Sequence, residues 1–248
     1  MLELRNVTHI FPNKTIAINK INLTINKGEF ILIAGSNGSG KTVLIRHFNG
    51  LLQPTSGEVL FENEPIKKNL LNIRRKIGLV FQDADSQIIG QTVYDDIAFG
   101  PENLKFDRNT VDNLVKNSIN SVGLSGYENR CPTELSGGEK RRLIIASILA
   151  MQPEIIVFDE PFNGLDFLGV RQVLEQIIKL HKLGHTIVII THDLEKTFAY
   201  VNRLIIMQKG EIKLDMRIDV NANDIPKEIY NYDIKMPQGV KSKMSWLI

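Results

Sequence analysis

Residues 35–42 read Gly-Ser-Asn-Gly-Ser-Gly-Lys-Thr and directly follow the apolar run Phe30-Ile31-Leu32-Ile33-Ala34. A strand that feeds a glycine-rich loop and then a helix is a device for holding phosphates. Glycines let the backbone curl until successive N–H groups converge, and the helix adds its positive N-terminal end. In the pattern G-x-x-x-x-G-K-[ST], Gly35, Ser36, Asn37, Gly38, Ser39 and Gly40 form the cradle of a nucleoside triphosphate. Lys41 reaches its β- and γ-phosphates, and the Thr42 hydroxyl ligates Mg²⁺.

Three further sets of residues suit the same chemistry. Ile155-Ile156-Val157-Phe158 ends in Asp159 and Glu160. Alone, this is a strand end with two solvated acids. Beside a phosphate loop, Asp159 would hold Mg²⁺ and Glu160 would polarise an attacking water as general base. Gln82 ends an apolar run at 77–81, and His192 follows another at 186–190. Either could be an ordinary polar residue leaving a strand. In a parallel sheet, however, functional groups gather at the strands' carboxyl ends, where Gln82 would ligate Mg²⁺ and both would contact the γ-phosphate. Last, Leu135-Ser136-Gly137-Gly138-Glu139-Lys140 opens a helix over 139–150. Ser136 is a good cap, and the glycines allow close backbone approach. This is either a capped helix or a second phosphate-binding helix end, and one nucleotide needs only one such end from its own chain.

The elements that must position these residues are legible in outline. Residues 2–8 and 16–25 alternate apolar and polar side chains, as half-buried strands do. Residues 30–34 form a buried strand, a helix runs from Lys41 to about Asn49, and 57–61 forms an edge strand. The stretch from about 92 to 150 is helical, an insertion within an α/β core that resumes at 155–158. A helix over 168–183 places Val170, Leu174, Ile177 and His181 on one face before Gly184 stops it. Strand 186–190, a helix near 193–201 and a hairpin over 204–214 turning at Gly210 complete the core, and residues 219–248 lose this periodicity.

Composition narrows the possible functions. The 248 residues carry 30 basic and 28 acidic side chains, a net charge of +2 that does not suggest a nucleic-acid binder. The single cysteine, Cys131, excludes an internal disulfide and fits a reducing compartment. No run approaches the roughly 18 apolar residues of a membrane span, and the N-terminus has no apolar signal core. Any membrane role is therefore expected to be peripheral, through a partner.

Together the motifs resemble, in order, those of the ATP-binding-cassette (ABC) ATPase subunit of membrane transporters, over about residues 1–217. Gly35–Thr42 match its phosphate loop, Gln82 its glutamine loop and Leu135–Glu139 its signature. Ile155–Glu160 match its second nucleotide motif, Gly164-Leu165-Asp166 its D-loop and His192 its switch histidine. Phe11 stands where the family places an aromatic that stacks on adenine. The resemblance implies an α/β P-loop NTPase with a RecA-like core, an antiparallel β subdomain and a helical subdomain at about 83–150. It also implies a head-to-tail dimer with ATP held between one subunit's phosphate loop and the other's Ser136, Gly137, Gly138 and Asp166.

A narrower similarity runs from Val80 to Asn103 through Asp85, Gln87, Asp95, Phe99, Gly100, Pro101 and Glu102, and again in Lys140-Arg141-Arg142. It resembles the ATPases of energy-coupling-factor transporters, importers of vitamins and of metal ions such as cobalt and nickel. This implies a transmembrane coupling subunit docked near 83–103 with Asp85 as anchor, a substrate-binding membrane subunit, and a place on the cytoplasmic face of the membrane. The chain departs from that pattern at Glu139, where glutamine is usual, at Ser86, where an acid is usual, in Pro161-Phe162-Asn163, and in a short 218–248 tail. The alternatives are another transporter class or a soluble cassette acting on nucleic acid or ribosomes. Against the soluble cassette stand a single cassette and the lack of sustained heptads within 43–154.

Overall fold

A computed structural model describes residues 1–219, 227–232, 234 and 246–247. Two sheets carry the molecule. The first is antiparallel, in the order β2 (Ile16–Ile25), β1 (Leu2–Ile10), β4 (Ser56–Phe61), β5 (Glu64–Pro65). The second has the order β10 (Glu211–Arg217), β9 (Arg203–Gln208), β3 (Phe30–Ala34), β8 (Thr186–Ile190), β7 (Ile155–Asp159), β6 (Ile77–Val80). All its neighbours are parallel except the β9–β10 hairpin.

The inner strands of the parallel sheet are apolar runs because both faces are covered. On one face Ile31, Ile33, Val157 and Ile190 pack with Leu44, Ile45 and Phe48 of α1 (Lys41–Phe48) and with Leu4, Val7 and Ile18 of the antiparallel sheet. On the other, Phe30, Leu32, Phe158 and Ile189 meet the remaining helices: α3 (Val93–Asn103), α4 (Arg108–Ser121), α5 (Gly137–Leu149) and α6 (Phe167–Lys182). The short α2 (Leu70–Lys76), which the sequence reading passed over, begins at Asn69, whose side chain accepts from Asn72 N.

Register aligns the ends of the parallel strands. Ile33 pairs with Ile190, Asp159 with Ile190, and Val80 with Phe158. The loops after β3, β6, β7 and β8 therefore leave from one edge, the edge at which such sheets bind ligands.

Three expected elements differ. The strand over 57–61 is not an edge, because β5 pairs beyond it. The helix near 193–201 is only a turn of 3₁₀ helix, Leu194–Lys196. Leu194, Phe198 and Val201 are buried at helical spacing, but Asn202 N bonds to Phe30 O, which draws the chain into β9 instead. The helix placed at 139–150 begins two residues earlier, with Ser136 as its cap. Of the 218–248 tail, residues 220–226, 233, 235–245 and 248 lie outside the described set. Lys227–Tyr232 forms a 3₁₀ turn. Trp246 packs against Phe167 (ring centroids 5.4 Å) and under Lys196 (5.6 Å).

Candidate functional site

The loop after β3 is built on glycines that no other residue could replace. Gly35 has φ +151°, and a Cβ there would lie 2.2 Å from Met207 O. Gly40 has φ +99°, and its Cβ would lie 2.6 Å from Ala17 O. Gly40 is also the N-cap of α1 and offers no side-chain acceptor, so the first-turn N–H groups stay available to an external anion. Lys41 folds back under the loop, its Nζ donating to Gly35 O (2.8 Å) and Ser36 O (3.0 Å). Burial holds its pKa below the usual lysine value, against the opposing fields of Glu160 and Asp159.

The acids after β7 have different hydrogen-bond partners. Thr42 Oγ1 donates to Asp159 Oδ2 (3.0 Å). Burial raises the Asp159 pKa above the ordinary carboxylate value, although the Thr42 hydrogen bond opposes the shift. Glu160 takes φ +46°, a left-handed conformation uncommon outside glycine. The turn aims its carboxylate at the end of β8, where Oε2 accepts from Thr191 Oγ1 (3.0 Å) and Oε1 from His192 N (3.1 Å). His192 Nδ1 is 2.8 Å from the same Oε1. An ionised carboxylate only accepts, so Nδ1 carries the proton.

One cleft of ≈ 520 Å³ brings together Asn37, Gly38, Ser39, Gly40, Lys41, Thr42, Gln82, Asp159, Glu160 and His192, with Gly35 and Ser36 outside its lining. Phe11, Thr15 and Ile16 line it as well. Phe11 is half-buried, with its ring edge-on to His9 at 5.1 Å. Sequence reasoning missed Asn163, which also lines this cleft, because it sits in the segment that departs from the common D-loop. Among the described residues no three His, Cys, Asp or Glu gather as a metal cluster. One buried carboxylate with a hydroxyl beside it, facing a phosphate loop, is nevertheless the donor set that Mg²⁺ shares with substrate phosphates.

Ser136, Gly137, Gly138 and Asp166 are not in that cleft. With Gly164, Leu165 and Gln172 they line a second one of ≈ 340 Å³. Ser136 and Glu139 form a reciprocal capping box at the start of α5. Asp166 caps α6, accepting from Gly169 N at 2.7 Å. The two clefts share no residue.

A third cleft of ≈ 520 Å³ is apolar, lined by Leu71, Ile89, Phe99, Ile148 and Met151 among others. Phe99 is 51% exposed and Ile89 58%. The acids of the 83–103 segment are mostly engaged. Asp95 belongs to the Thr92 capping box of α3. Asp96 is buried and accepts from Ile89 N, Gly90 N and the Ser147 hydroxyl. Glu102 pairs with Arg108 (3.6 Å). Asp85 is exposed and pairs with Lys140 (2.6 Å).

Residues 18–163 match the family model of the ABC transporter. The chain is 44% identical over 215 residues to the energy-coupling factor transporter ATP-binding protein EcfA of Methanococcus maripaludis, covering 86% of this chain and 77% of that one. It is 42% identical over 234 residues to the EcfA of Methanocaldococcus jannaschii, covering 93% and 81%. Among solved structures it superposes on cbiO1 of Clostridium perfringens, part of the ABC transporter complex cbiONQ, with a TM-score of 0.81, 35% identity, and coverage of 93% and 90%. The fold, the order of the motifs and these likenesses agree: the chain belongs to the ABC transporter family, among its energy-coupling factor ATP-binding proteins.

Proposed function

We propose that this chain is the ATP-binding and ATP-hydrolysing subunit of an energy-coupling-factor importer, working at the cytoplasmic face of the membrane as one of two cassettes. The observation that carries the shared-site part of this reading is the separation of the first two clefts. The chain has a complete phosphate loop with acids and a second phosphate-binding helix end, yet no residue lines both. Two chains placed head to tail would complete two sites. Among the described residues no helix is long and apolar enough to cross a membrane, which supports a membrane subunit supplied by a partner. The third, apolar cleft is the surface for its coupling helix, and Asp85 the anchor for a cation on that helix. The cargo class is a vitamin or a transition-metal ion, handled by a substrate-binding membrane subunit.

In this reading the phosphate loop and Lys41 bind the β- and γ-phosphates and Phe11 stacks on the base. Thr42, Asp159 and Gln82 hold Mg²⁺, which when bound neutralises charge on the phosphate oxygens. Glu160 accepts the proton of the attacking water, and His192 and Thr191 fix its carboxylate. His192 thereby serves two groups, the base and the γ-phosphate.

Complementation tests the shared site. Lys41→Ala and Gly138→Asp homodimers are both expected to be inactive. A mixture forms heterodimers with one intact site, pairing the unaltered loop of one chain with the unaltered signature of the other. ATPase activity should reappear on mixing. No recovery from two well-folded chains shown to pair would overturn the reading.

A further inference from the structure

Arg141 is a buried cation with no acid in hydrogen-bond contact among the described residues. It lies on α5, five residues beyond Ser136, and is 3% exposed. Its Nη1 donates to Phe81 O and its Nη2 to Gln82 O (2.8 Å), while Nε has no partner among the described residues. Burial lowers its pKa below the usual guanidinium value, against the opposing charge of Asp83. A guanidinium is costly to bury, so its placement against two successive carbonyls needs a reason.

The surrounding segment supplies one. Gln87 copies a strand neighbour, accepting from Phe81 N (2.9 Å) and donating to Leu79 O (2.8 Å). Beyond Gln82 the segment turns on local bonds to Asp83 and Ala84, and two further ties run to the helices. Lys140 of α5 holds Asp85. Asp96 of α3 holds Ile89 and Gly90 and is itself bound by Ser147 of α5 (2.6 Å). The segment after Gln82 is thus fastened to the helices at its near and far ends, and Gln82 is the residue where that assembly reaches the first cleft.

We propose that Arg141 is a positioning residue for Gln82: its planar fork fixes both peptide carbonyls, so that any displacement of α5 is delivered to the Gln82 amide. The N-terminus of α5 carries Ser136 and Gly138, so whether the second cleft is engaged would be reported to the first cleft of the same chain. The inference rests on the proposed roles of Gln82 and of the shared sites. A lysine keeps the charge but is a single point donor and cannot reproduce the fork.

The test is a double-mutant cycle on the full-length chain, comparing the parent, Arg141→Lys, Gln82→Ala and the double variant. Turnover and MgATP affinity are measured for each. Arg141→Lys should lower kcat by about tenfold while leaving the MgATP Kd within about twofold, the signature of a group acting on the chemical step rather than on binding. In the Gln82→Ala background the same change should have no further effect on kcat. Parental turnover in Arg141→Lys, or losses that multiply in the double variant, would overturn the proposal. If Gln82→Ala itself hydrolyses at the parental rate, the Gln82 assignment fails first, and the two failures are distinguishable. Should Arg141→Lys melt below the assay temperature, Arg141→Gln takes its place in the cycle under the same criteria.

Discussion

Glu160 shows what a single residue gains from its backbone. Its left-handed φ turns the side chain away from β7 and into three hydrogen bonds from the end of β8. Such strain persists where the surroundings over-determine it. Glu160→Gln should retain MgATP binding and lose about 10²–10⁴ in turnover, measured by phosphate release beside equilibrium nucleotide binding. Asp159 carries a different signature. Its folded-state pKa is raised by burial, so the folded state holds its proton to higher pH than the unfolded chain does. The stabilisation is complete below the unfolded pKa and is lost as pH rises through the folded value. At neutral pH Asp159 therefore works against folding. Asp159→Asn should melt at a higher temperature than the parent near pH 7 without nucleotide, with the difference vanishing toward pH 4. A lower melting temperature at pH 7 would contradict this. Both acids were identifiable from the sequence as the end of an apolar run beside a phosphate loop. The Thr191 contact was not, because it depends on the register between β7 and β8.

Helix starts were legible only in part, although caps are local chemistry: Ser136 read as a cap and α1 was placed at Lys41, but the start of α2 at Asn69 and the separate starts of α3 and α4 within 92–150 were not resolved. Ser136 with Glu139, and Thr92 with Asp95, are reciprocal boxes. Ser136→Ala should cost about 1 kcal/mol of stability, read by denaturant melts. Glu139→Gln, which keeps an acceptor at the same place, should be close to neutral. Periodicity failed where tertiary pairing competed with it. Leu194, Phe198 and Val201 have helical spacing, but β3 recruits the chain at Asn202 and leaves only a turn. In the segment at 83–103 the residue types are visible in the sequence but their engagement is not: Asp96 is buried and bonded to Ile89, Gly90 and Ser147.

At the scale of the molecule, the three clefts described above have separate lining residues, while α5 and the segment after Gln82 run between them. The Asp85 side chain is 73% exposed and pairs with Lys140, so a partner arginine could replace that lysine in a charge-assisted pair. Asp85→Arg should abolish assembly with the membrane subunit, read by co-purification, and leave the ATPase activity of the isolated cassette dimer intact. Unimpaired assembly would move the anchor elsewhere, with Asp83 the next acid to reverse.

The contact of Trp246 with Phe167 and Lys196 has an optical consequence. The chain has a single tryptophan, and it is wedged between the residue that follows Asp166 and the turn that follows His192. Indole emission responds to nearby cations and to water, so ultraviolet excitation of the unlabelled protein reads one defined place. Any movement of the loop after β7 against the loop after β8 would be written into that spectrum, giving a built-in clock for following turnover by rapid mixing without a dye or an engineered probe.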